Sequence, residues 1–363
     1  MSHFIAKDTY EIRTDLAIEA HDLALKKAKG SLKGVEIKES KEKGITTSWM
    51  HIKDEESAKK IGKSLGTYLT LHVPKLRSKD SSVSLQVAVK FAQEFKKFLD
   101  YMKVKDDSPI LVVGLGNPYV TPDSLGPLVV KNIIVTRHLF HLSKDYKDYV
   151  SKDYRPVSAF QPGVLGITGI ETSDIVKGVI EKTEPDLCIV IDALASRSLD
   201  RLNTTIQVSN AGISPGSGIG NKRRALNKEF LGLPVIAIGV PTVVDAITIS
   251  HDVIDFVLSY LSCKIAKKEP NPLDPFKRLD LKDLNSKEVP KEVKDKIFGA
   301  FGKLTSEEKR QLIKEVLTPL GQNLVVTPKD VDAFIIYISK IISNGLNCAL
   351  HKAVNMDNVA SHL

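Results

Sequence analysis

The chain has 363 residues, 42% of them hydrophobic and 26% charged, a mixture that can bury one large α/β domain with additional segments. No apolar run approaches the roughly 20 residues that span a bilayer, and Met1-Ser-His-Phe-Ile-Ala-Lys-Asp8 has no signal-peptide pattern, so a cytoplasmic enzyme is expected. The formal charge of +8 is dispersed among acids, as in Lys291-Glu-Val-Lys-Asp-Lys296, and aromatic content is only 6%; solvated helix faces explain it better than a nucleic-acid groove.

In chain order, a polar leader ends at Ile12-Arg-Thr-Asp15, and Leu16 to Leu25 then shows helical spacing of apolar groups. Alternating runs at Gly34 to Ser40, Ile45 to Lys53 and Gly66 to Val73 predict antiparallel strands, and a helix follows over Ser84 to Met102. From Pro109 the pattern alternates. Strands are expected at 109–116, 186–194, 204–209 and 234–240, and helices at 124–138, 171–182 and 246–262. Loops are expected around Arg155 to Gly163 and Gly212 to Gly220. A proline-punctuated linker, Lys267-Lys-Glu-Pro-Asn-Pro-Leu-Asp-Pro275, precedes helices at 306–317 and 329–342. The fold class is therefore α/β: a mainly parallel sheet with helices on both faces, a β-rich N-terminal region and a helical C-terminal extension.

Two apolar runs end near an aspartate. Pro109-Ile-Leu-Val-Val-Gly-Leu-Gly116 leads to Asp123 in Thr121-Pro-Asp-Ser-Leu-Gly-Pro127, and Leu187-Cys-Ile-Val-Ile-Asp192 ends on Asp192. Parallel strands would bring both carboxylates to one crevice at the strands' carboxyl ends. Two carboxylates held close cannot both ionise cheaply, so the pair keeps an acid and a base together and can activate water against an amide. Alone, Asp123 would read as a helix N-cap; the pairing with Asp192 is what points to catalysis.

Other features weigh less. Gly114-Leu-Gly-Asn-Pro118 lacks the third glycine of a dinucleotide fingerprint and the Lys-Ser/Thr of a P-loop. It and Thr136-Arg-His138 resemble elements of peptidyl-tRNA hydrolases, but the spacing differs. His138 and His141 have no acidic or cysteine partner spaced with them, so no metal site is expected. Cys188, Cys263 and Cys348 form no CxxC pair and fit a reducing compartment. Asp245 and Glu171 are further acids that could join the dyad.

Taken together, Arg13-Thr-Asp-Leu-Ala-Ile-Glu-Ala-His21, Gly114-Leu-Gly-Asn117, Thr121 to Pro127, Val135-Thr-Arg-His-Leu-Phe140, Thr168-Gly-Ile-Glu-Thr-Ser173, Ile191-Asp-Ala-Leu-Ala195, Pro215-Gly-Ser-Gly218, Gly220-Asn-Lys-Arg223 and Gly239-Val-Pro-Thr-Val-Val-Asp245 resemble the germination proteases of spore-forming bacteria, over residues 10 to 262. The resemblance implies an endopeptidase, without cofactor or metal, that degrades small acid-soluble spore proteins in the spore core. It implies a homotetrameric zymogen that removes its own propeptide, residues 1–15, by cutting between Asp15 and Leu16. The protease domain would span 16–262, with the β-rich insertion at about 34–74, and the extension 263–363. The implied fold is that of hydrogenase-maturation proteases, and the implied catalytic residues are Asp123 and Asp192. Gly116, Asn117, Gly216, Gly218 and Arg197 are candidates for shaping the site or meeting substrate. Neither nucleic acid nor membrane is an expected partner. The alternatives are a metal-assisted hydrolase on the same fold and a non-catalytic binding protein of the spore interior.

Overall fold

A computed structural model of the chain describes residues 14–28, 32–141, 150, 153–216, 223–265, 299, 304–317 and 324–362. The leader up to residue 13, Gly218 and the linker at 267–275 lie outside them. The chain forms two compact units, one of residues 13–243 with 327–363 and one that includes Val244–Val326.

The larger unit is built on a mixed sheet. Its strands are β1 (Val35–Glu42), β2 (Ile45–Ile52), β3 (Gly66–His72), β4 (Ile110–Gly114), β5 (Val157–Phe160), β6 (Leu187–Ser196), β7 (Thr205–Ser209) and β8 (Val235–Asp245), in the spatial order β1-β2-β3-β7-β8-β6-β4-β5. The parallel pairing runs from β4 to its two neighbours: Ile110 is opposite Val157 on β5 and Leu187 on β6. β1, β2, β3, β7 and β8 pair antiparallel in succession. The sheet is thus parallel around β4 and antiparallel from β1 through β8 in spatial order, in keeping with an α/β sheet joined to a β-rich N-terminal region. Residues 197–204, between β6 and β7, form turns too short for a crossover helix, so β7 runs opposite to β6, with β8 lying between them. The β-rich N-terminal region is continuous with the rest of the sheet through the pairing of β3 with β7.

Side-chain alternation on the central strands explains why both faces are covered. Ile110 and Val112 of β4 and Leu187, Ile189 and Ile191 of β6 point to one core, with Phe91, Phe95 and Phe98 of the helix Ser81–Tyr101. Leu111 and Val113, with Cys188 and Val190, point to the other, against Val176 and Ile180 of the helix Thr172–Thr183. A third cluster seats Ala17, Ala20 and Ala24 of the helix Ala17–Ala28 on Met50, Ile52 and Tyr68. Small alanine side chains let that helix lie close on the antiparallel strands.

The C-terminal helix Val331–Leu350 is long and apolar enough, by length and composition, to cross a membrane, which the sequence reading did not anticipate. Its Phe334, Ile338, Ile341 and Ile342 are instead buried in the first core beside the phenylalanines of Ser81–Tyr101. The two helices approach closely at Gly345, where a Cβ would come within 2.5 Å of Phe91 Cδ1. The helix expected at 124–138 ends at Val130, and a 3₁₀ turn follows at Arg137–His141. The Asn347 side chain intervenes: its Oδ1 accepts from the Ile134 amide and its Nδ2 donates to Asn132 O, diverting both groups from a continuing helix.

In the smaller unit, the helix Ala246–Ile265 packs against Ser306–Leu317, with Ile247 and Ile313 in its core. The short strand β9 (Val325–Val326) pairs antiparallel with Val244 and Asp245. The Asp245 carboxylate accepts from the amides of Ile247 and Thr248, so it caps the helix that starts at Ala246.

Candidate active site

Asp192 lies inside β6, buried, and its Oδ1 accepts from the Ala193 amide at 2.9 Å. Asp123 ends the 3₁₀ turn Thr121–Asp123, which carries Pro122 at its centre and leads through Ser124 into the helix Leu125–Val130. Its Oδ2 accepts from the Asn117 amide at 2.7 Å, tying the turn to the end of β4. The glycine at 116 is required by this closure. Its φ is +108°, and a Cβ there would sit 1.9 Å from the Asp123 carbonyl oxygen. β6 is anchored to the same loop by the Leu115 amide, which donates to Ile191 O.

The two carboxyl groups differ in charge preference. Burial raises the pKa of Asp123, opposed by the Asn117 amide and by the Arg223 guanidinium. Burial raises that of Asp192 much further, and the charges of Asp123 and then Asp15 add to the rise, with the Ala193 amide opposing. As pH rises, Asp123 ionises first and its charge holds the proton on Asp192. The raised pKa values thus favour one carboxylate and one carboxylic acid side by side.

Asp15 is the addition that the sequence alone did not place. Its amide donates to Ala195 O at 2.9 Å and its Oδ2 accepts from the Ala195 amide at 2.8 Å, so it lies along β6 three residues past Asp192. Lys63 Nζ donates to Thr14 O, and the Gln207 side chain bonds both Asp15 O and the Ala17 amide. Downstream, the Glu19 carboxylate accepts from the amides of Arg197 and Ser198 and from the Thr14 hydroxyl. Leu16 and Ala17 are fully buried. The segment from Thr14 to Glu19 is held to β6, to Gln207 of β7 and to Lys63 by its backbone and by the Asp15 and Glu19 carboxylates.

Among the other sequence candidates, Arg197 contributes its backbone amide to Glu19, and Gly216 takes a φ of +72° in a turn. Glu171 lies 3.9 Å from Arg223, the cation that lowers the Asp123 pKa. Arg223, Gln207 and Lys63 were not singled out by sequence reasoning. The only signal for Gln207 is an amide side chain inside the apolar run Thr205-Ile-Gln-Val-Ser209. Among the described residues no group of three or more His, Cys, Asp or Glu is arranged to hold a metal ion.

A buried carboxyl group on a strand and a half-buried one on the turn beside it, of unequal acidity, are suited to the acid–base chemistry of aspartic-type hydrolases. Comparison with known proteins narrows the class. The family model described as germination protease matches residues 14–363. The germination protease of Bacillus licheniformis is 52% identical over 359 residues, covering 96% of each chain. That of Bacillus cereus strain AH187 is 50% identical over 360 residues, covering 97% of each. A hydrogenase maturation protease, HycI, from Thermococcus kodakarensis matches structurally over 37% of this chain and 74% of its own, with a TM-score of 0.25 and 20% identity. The chain belongs to the germination protease family, endopeptidases of the aspartic type. The likeness extends to the C-terminal residues, beyond the limit of 262 expected from the motifs alone.

Proposed function

We propose that this protein is a self-processing zymogen that cuts its own chain between Asp15 and Leu16, then degrades small acid-soluble spore proteins in the germinating spore core as a homotetramer. Asp123 and Asp192 carry the chemistry. The observation that supports this most is the position of Asp15: the residue before the expected cut is paired with β6 at Ala195, three residues past Asp192, and its charge adds to the rise of the Asp192 pKa.

In this reading the Asp123 carboxylate takes a proton from water, and the oxygen of that water attacks the carbonyl carbon. Asp192 donates its proton as the C–N bond breaks, so the amine leaves neutral and the dyad exchanges the roles of acid and base. Burial favours both roles, because it keeps Asp192 protonated and leaves Asp123 a stronger base than an exposed carboxylate.

The test is mass spectrometry of the full chain during incubation, followed by addition of small acid-soluble spore proteins with and without a chelator. Loss of residues 1–15 and chelator-resistant digestion are expected. A chain that keeps its leader and leaves those proteins intact contradicts the proposal. Activity lost on chelation and restored by one metal would instead establish the metal-assisted alternative.

A further inference from the structure

The Gln207 side chain makes two hydrogen bonds to the segment that carries the expected cut. Its Nε2 donates to Asp15 O at 3.1 Å, and its Oε1 accepts from the Ala17 amide at 2.7 Å. The amide orientation follows from chemistry, since a carbonyl oxygen only accepts and a backbone N–H only donates. Gln207 is buried, in the middle of β7, opposite Thr70 on β3 and Gly239 on β8. Gly239 carries no side chain that could compete for this space, and a Cβ there would meet Leu194 at 2.5 Å.

Asp15 O is the carbonyl oxygen of the Asp15–Leu16 peptide bond. If that bond is cut, this oxygen gains the negative charge of the tetrahedral intermediate. A neutral donor fixed at hydrogen-bond distance in a buried site stabilises that charge more than it stabilises the ground-state carbonyl. Lys63 Nζ, by contrast, bonds the preceding carbonyl, Thr14 O, which stays neutral throughout.

We infer that Gln207 is a catalytic residue of the self-cleavage reaction, the oxyanion donor to the carbonyl of Asp15. This rests on the proposed cut between Asp15 and Leu16. The same side chain, through Oε1, holds the Ala17 amide, so it sets the carbonyl's orientation while polarising it.

Gln207→Glu tests the inference in the full chain, because it keeps an acceptor for the Ala17 amide and removes the donor. The rate of leader loss by mass spectrometry should fall by about 100- to 1,000-fold, the scale of losing one oxyanion donor. Its deficit against wild type should narrow as pH falls and the new carboxyl gains a proton to donate. Melting midpoints taken at the same pH values separate this from a structural role, in which the deficit would track a loss of fold stability rather than the donor. Protection of the Ala17 amide from hydrogen exchange should be unchanged. A rate within about threefold of wild type overturns the assignment, as does a deficit that stays constant with pH. If Gln207→Glu does not fold, Gln207→Met, similar in length and without a donor, should show the same loss at every pH, and a near-normal rate in it also overturns the assignment. Normal cutting in the Gln207 variants alongside an inert Asp192→Asn rejects the Gln207 role and leaves the dyad standing. A wild-type chain never cut at Asp15–Leu16 rejects both.

Discussion

Replacing Glu19 with glutamine is expected to loosen the segment that presents Asp15. The Glu19 carboxylate accepts the amides of Arg197 at 2.8 Å and Ser198 at 2.9 Å, and the Thr14 hydroxyl at 2.5 Å. Hydrogen bonds to a charged acceptor contribute about 1.5–3 kcal/mol each. Glutamine retains one oxygen, so one amide keeps an acceptor while the other faces an NH2 group. The net cost is about 2–3 kcal/mol, one charge-assisted bond plus the weakening of the second. For a domain of this size that lowers the thermal midpoint by about 4–10 °C. Circular dichroism melts of Glu19→Gln and wild type at the same pH measure it, and the rate of leader loss should fall in parallel as Thr14 and Asp15 lose their tether. A midpoint within about 1 °C of wild type would refute the claim that this carboxylate anchors the segment.

Asp192→Asn should stabilise the fold increasingly above the ordinary carboxylate range. The raised pKa means that the folded state binds the extra proton, so wild type loses stability as pH rises from about 4 through the folded pKa, a loss the asparagine lacks; equal pH dependence in denaturant melts would contradict the burial argument. Arg223→Gln removes a cation that lowers the Asp123 pKa, so the acidic limb of the rate profile should move to higher pH, and an unmoved limb would separate Arg223 from the site. Gly116→Ala forces a Cβ into the Asp123 carbonyl at positive φ, and strain of about 1–3 kcal/mol or more should displace Asp123, read as a lower melting midpoint and slower cleavage.

Much of this architecture is legible in the sequence because the central strands are short apolar runs whose two faces are both buried. That is why β4 and β6, and with them Asp123 and Asp192, could be located before any geometry was known. β5 escaped because Val157–Phe160 is four residues long and follows Pro156 within an otherwise irregular stretch. The early end of the helix after Asp123 depends on Asn347, more than 200 residues away, and no local pattern encodes it. The assembly around Asp15 is of the same kind. Lys63, Gln207 and Arg223 come from a helix end, a strand and a loop, and only the pairing of β3 with β7 and of β7 with β8 brings the first two toward β6.

The central claim, that Asp123 and Asp192 together hydrolyse the peptide bond, is tested most directly by the rate at which the full chain is cut at Asp15–Leu16 in Asp123→Asn and Asp192→Asn. Each should slow the cut by about 100-fold or more, the scale of losing a general base or acid, while circular dichroism shows the fold intact. Either variant cutting at the wild-type rate, with nothing else present, would contradict it.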